Sequence, residues 1–199
     1  MHYVLAVLLG ACWPVQANTQ QLRSRYPPSA ARLAASGADE HLLAGARFFR
    51  VGNFSKALIE FRVAETLGGT GEASWYAAAA LVKLGRPEDA LEAFAQAASR
   101  APAERDALLD YYRALACYDA RLYGCAAKLF AEVGDQSGPR IAELARKARA
   151  SIEKMFAEPV RQGAVDWYRE KAAIAHSAKR EALAALYSEE GDALAARSK

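Results

Sequence analysis

The fold is decided at Gly52-Asn53-Phe54-Ser55-Lys56-Ala57, followed by Phe61 and Ala64. The same order of residue types returns at Gly85-Arg86-Pro87-Glu88-Asp89-Ala90, with Phe94, Ala97 and Pro102 after it, and again at Tyr123-Gly124-Cys125-Ala126, with Phe130 and Val133. Ala57, Ala90 and Ala126 stand 33 and 36 residues apart, and each is followed four residues later by Phe. Residues four apart share one face of a helix, so every copy sets a small side chain beside a large one. A recurrence at this period marks a tandem array of supersecondary units.

The segment before each copy repeats as well. Gly45 and Phe48 hold small and large positions in the first, Ala78 and Leu81 in the second with Trp75 close by, and Tyr112, Leu115 and Ala116 in the third if the turn that follows is about two residues shorter. Residues 39 to about 137 therefore resemble the tetratricopeptide repeat family, whose period is about 34 residues. The resemblance implies an all-α fold: a right-handed α-solenoid of about three antiparallel helix pairs. A hairpin of this kind buries one face and leaves another apolar, so the pairs must stack and the last needs a cap.

Composition agrees. The chain has 199 residues, 53% of them hydrophobic and 25% charged, with a formal net charge of +3. Roughly a quarter are Ala while Val, Ile and Thr are scarce, a balance that favours helix over sheet. After Gly138-Pro139, the residues Ile141, Leu144, Ala145, Ala148, Ile152, Met155 and Phe156 recur at helical spacing and form the expected cap. The opposite face carries Arg140, Arg146, Lys147, Arg149 and Lys154 against Glu143 and Glu153. Beyond Pro159 a longer helix is expected over about 160–187, not another repeat, and then a tail over 191–199 that frays. Residues 138–190 thus form the capping and C-terminal helices.

The N-terminus supplies an address. Val4 to Trp13 is apolar and uncharged and leads to Pro14-Val15-Gln16-Ala17, the pattern of a secretory signal covering residues 1–17. Ten apolar residues are about half of what a bilayer core requires. Leu9-Gly10-Ala11-Cys12 also resembles the lipobox of bacterial lipoproteins, which would end the signal at residue 11 and acylate Cys12. Either route places the protein in the periplasm or at the cell envelope, with an outer-membrane lipoprotein as the second form. Residues 18–38 read as a polar linker with a short helical piece capped by Ser29. Export would leave Cys117 and Cys125 as a pair in a compartment that permits disulfides. Two small buried thiols are the competing reading.

Catalytic chemistry finds no support. His2, His41 and His176 are isolated, and no Cys or His pair has zinc spacing. Gly68-Gly69-Thr70-Gly71 lacks the strand before it and the Lys after it that a phosphate loop needs. Asp39-Glu40, Glu88-Asp89 and Glu189-Glu190 are adjacent pairs, which do not face each other on a helix. The expectation is a non-enzyme without metal or cofactor, binding protein or peptide and no nucleic acid, and touching membrane only through lipid at Cys12.

In tetratricopeptide arrays the first helices line a concave groove for a partner segment. Carried over residue by residue, the resemblance implies a groove of Leu42, Ala46, Phe49 and Arg50, then Trp75, Ala79, Val82 and Lys83, then Tyr111, Leu115 and Tyr118. Phe49 and Trp75 packing between repeats is the alternative. The implied function is an adaptor or scaffold for a secretion, pilus or outer-membrane machine. A chaperone for a translocated substrate, similar to the repeat chaperones of type III secretion, is the other.

Overall fold

A computed structural model describes residues 31–68, 71–100, 107–158, 160 and 163–197. The signal segment, Cys12 and Ser29 lie outside the described residues. Those described are all-helical, without strands, and divide into two compact units, one through Ala80 and one from Leu81.

The first unit contains α1 (Ala31–Arg50), α2 (Phe54–Thr66) and most of α3 (Gly71–Lys83). α1 starts eight residues earlier than the repeat boundary at 39, so the helical piece expected at the end of the linker is continuous with the first repeat helix. Asn53 starts α2 by accepting a hydrogen bond from the Lys56 N–H at 3.3 Å. α1 and α2 meet where Gly45 faces Phe61: a Cβ on Gly45 would lie 2.5 Å from the Phe61 ring. Phe61, Leu42, Ala57, Ala64, Ala73, Ala77 and Ala80 form the core, with Tyr76 stacked on Phe61 at 5.5 Å between centroids.

The second unit contains α4 (Pro87–Arg100), α5 (Ala107–Asp119), α6 (Tyr123–Gln136), α7 (Pro139–Phe156), α8 (Ala164–Ser177) and α9 (Glu181–Arg197). Consecutive helices pack together from α4 through α7, and α9 folds back onto α8, α4 and α6. The cap helix α7 buries Ala142, Ala145, Ala148 and Ile152, while Met155, on the same face in its last turn, is 39% exposed.

Four turns are built alike. A residue in the left-handed region, Gly52, Gly85, Arg121 or Lys179, follows each leading helix. Its N–H donates to the carbonyl three residues back, and the next N–H donates to the carbonyl five back: Asn53 to Phe48 at 2.9 Å, Arg86 to Leu81 at 3.0 Å, Leu122 to Cys117 at 2.8 Å and Arg180 to Ala175 at 2.9 Å. This pairing satisfies the orphan carbonyls at a helix end. Aligned on the turns, Leu42, Trp75 and Tyr111 are equivalent, as are Gly45, Ala78 and Ala114, and Phe48, Leu81 and Cys117. After the turns come Ala57, Ala90 and Ala126, then Phe61, Phe94 and Phe130, then Ala64, Ala97 and Val133. Of these eighteen positions only Phe48 is not fully inside. Each buried Phe stabilises its unit by about 1.5–3 kcal/mol.

Three expectations are corrected. The third turn has the same length as the others, so Tyr111, Ala114 and Cys117 take the packing positions assigned to Tyr112, Leu115 and Ala116. The helix expected over 160–187 is broken at Ala178–Arg180, and the tail expected to fray is helical to Arg197. Lys179 in the left-handed region costs about 1–2 kcal/mol. Closing the hairpin buries Tyr168, Ala175, Leu183, Ala184 and Tyr187, and Leu183 alone returns about as much.

Candidate functional site

The residues expected in the groove fall into two sets. In the first unit Leu42, Trp75 and Ala79 are buried, Ala46 and Phe49 are half-buried and Arg50 is exposed. Phe49 meets Phe54 edge-on at 5.2 Å. In the second unit Val82 is buried, while Lys83, Leu115 and Tyr118 are half-buried. Tyr111 is 1% exposed and packs on Phe130 at 5.7 Å, and burial pushes its phenol up to about 12. Leu42, Trp75 and Tyr111 hold the equivalent inward position, so they contribute packing and not contact surface.

The turn register sorts the remainder. Ala46, Ala79 and Leu115 share one helix position; Phe49, Val82 and Tyr118 share the next; Arg50, Lys83 and Asp119 share a third. The sequence alone names no third-copy partner for Arg50 and Lys83, and the turn register assigns Asp119 to that position. It puts an acidic point where the earlier copies have basic ones. The Lys83 ammonium lies 6.0 Å from the Tyr112 ring, and burial lowers its pKa.

A second cluster, unforeseen in the sequence, joins the C-terminal hairpin to the rest of the second unit. Glu88, in the first turn of α4, accepts from the Tyr187 hydroxyl at 2.7 Å and Lys171 Nζ at 3.1 Å, with Arg180 at 3.8 Å. Burial opposes the Glu88 charge, yet Tyr187, Lys171 and Arg180 outweigh it and hold its pKa below the ordinary value. Arg180 also donates to Asp89 at 3.1 Å. At the next turn the Tyr168 hydroxyl donates to the Arg121 carbonyl at 2.5 Å, and the Trp167 ring has the Arg121 guanidinium at 5.8 Å and the Lys171 ammonium at 5.7 Å from its centroid. Glu190 accepts from the backbone N–H groups of Gly124 at 2.7 Å and Cys125 at 3.2 Å, capping α6 from another helix. Burial raises the Glu190 pKa, and those two N–H groups only partly offset it. Arg197 closes the run, donating to the Phe156 carbonyl at 2.6 Å.

Cys117 and Cys125 are joined by a disulfide with their α-carbons 6.0 Å apart, inside the range such a bridge requires. Among the described residues no group of three His, Cys, Asp or Glu is placed to hold a metal, and no helix is long and apolar enough to cross a membrane. His41 and His176 are each within hydrogen-bonding distance of a carboxylate, Glu60 at 2.6 Å and Glu181 at 2.9 Å.

The described residues are all-helical, and in the second unit a C-terminal hairpin is fastened to α4 and to the turn between α5 and α6. No protein-family model, curated protein or solved structure matches the chain.

Proposed function

We propose that this protein is a non-enzymatic adaptor of the bacterial cell envelope, a right-handed tetratricopeptide-type solenoid that holds a partner segment against the leading helices of its hairpins. The observation that carries the reading is the shared register: three helix–turn–helix segments repeat the same small and large positions around the same turn. Fixing those inward positions leaves Phe49 and Arg50 in the first unit, and Lys83, Tyr118 and Asp119 in the second, as the leading-helix side chains available to a ligand. Aromatic anchors among charged neighbours are the usual composition of a binding hot spot. The apolar segment Val4 to Trp13 supports export, and so does a Cys pair set at bridging distance.

The test is affinity capture from envelope extract with the full chain as bait. A Phe49→Ala, Lys83→Glu, Tyr118→Ala variant loses the partner that wild type and Ile59→Ala both retain. Ile59 is the control because it is 61% exposed on α2. Equal capture by all three baits contradicts the reading.

A further inference from the structure

The disulfide and the C-terminal hairpin meet at one short stretch of chain. Cys117 ends the packed face of α5 and is fully buried, whereas Cys125 lies in the first turn of α6 and is half-buried. The bridge spans eight residues and so encloses the turn that receives the hairpin. Within it the Arg121 carbonyl accepts from Tyr168, the Arg121 guanidinium lies over Trp167, and the Gly124 N–H donates to Glu190; Cys125 itself donates to Glu190. A loop this short removes little entropy from the unfolded chain compared with a long one. Its main effect is to hold the turn in place. That turn also has an unfavourable backbone, since Arg121 has φ 65°.

We propose that the Cys117–Cys125 disulfide is a redox latch for the α8–α9 hairpin: oxidised, it fixes the turn on which Trp167, Tyr168 and Glu190 rest, and reduced, it releases the hairpin while the other helices stay folded. The reductant is a dithiol. Its thiolate attacks Cys125 Sγ, the more accessible sulfur, forming a mixed disulfide and expelling Cys117 as a thiolate that takes up a proton. The second thiol of the reductant then attacks the mixed disulfide, leaving as a cyclic disulfide and freeing Cys125. The protein gains two electrons and two protons.

Hydrogen–deuterium exchange on the full chain, before and after dithiothreitol, tests the latch, with thiol counting to establish that both cysteines are free. Reduction is expected to speed exchange in residues 183–192 by about 10-fold or more, and residues 142–152 of α7 by less than about 2-fold. The Cys117→Ala, Cys125→Ala variant is expected to match the reduced protein without dithiothreitol. Unchanged exchange in α9 after full reduction overturns the proposal. So does equal acceleration of α7 and α9, which would make the bridge a general staple, and so does a double variant that exchanges like the oxidised wild type.

Discussion

The Glu190 carboxylate caps a helix it does not belong to: its Oε1 lies 2.7 Å from the backbone nitrogen of Gly124, 66 residues earlier in the chain. α6 begins after Leu122, whose side chain can cap nothing, and a carboxylate from α9 does the work that Asn53 does for α2. Replacing Glu190 with Ala leaves two N–H groups without their acceptor and is expected to cost about 1–2 kcal/mol. Chemical denaturation measures it. Gly124→Ala should reproduce part of the loss, because its Cβ would stand 3.0 Å from Glu190 Oε2.

Glu88 and Glu190 should give stability opposite slopes with pH. Native Glu88, with its lowered pKa, binds fewer protons than in the unfolded chain, so its contribution is present above the ordinary carboxylate value and is lost as pH falls through the folded one. Native Glu190, with its raised pKa, binds more, so stability falls as pH rises between the ordinary value and the raised one. Thermal midpoints across acid pH should lose the first slope in Glu88→Gln and the second in Glu190→Gln.

The hydroxyl of Tyr111 is buried and has no hydrogen-bond partner among the described residues. Removing an unsatisfied buried group while keeping the ring relieves about 1–3 kcal/mol of desolvation cost. Tyr111→Phe is therefore expected to leave stability equal or higher by about 1 kcal/mol. A clear loss in urea unfolding would show that the hydroxyl bonds to water or to another group.

Lys179 and Arg121 share a left-handed backbone, yet glycine should affect them differently. The Lys179 side chain is exposed, so Lys179→Gly should raise stability by about 1 kcal/mol. At Arg121 the same relief is offset by loss of the guanidinium from Trp167, a contact worth about 0.5–1 kcal/mol at an exposed site. Parallel melts of the two variants decide it.

Gly45→Ala drives a methyl to 2.5 Å from the Phe61 ring in the closely packed first unit. Overpacking of this kind costs about 1–3 kcal/mol. Adding Phe61→Leu should recover part of it if the collision is the cause.

How much of this was legible in the sequence depends on where each signal resides. Ala57, Ala90 and Ala126 with their Phe partners repeat in type and spacing, and so do the glycines at 52 and 85, which left the first two turns readable. The third turn was misphased because Arg121 replaces the glycine and Cys117 replaces the larger Leu81 or Phe48. The break at Lys179 escaped for the same reason: a lysine in a left-handed turn carries no local mark, and only the burial of Leu183 and Tyr187 makes the turn favourable. The cluster around Glu88 was illegible in principle. Lys171 and Tyr187 lie 83 and 99 residues from it, and no periodicity connects groups so far apart.

The binding face is tested most directly by placing a photo-crosslinking residue, one position at a time, along the leading helices in the native envelope. The account predicts partner crosslinks at Phe49, Lys83 and Tyr118, and none at Ile59 on the back of α2 or at Arg146 on the basic face of α7. Crosslinks concentrated at Arg146, or spread evenly over all five positions, would contradict it.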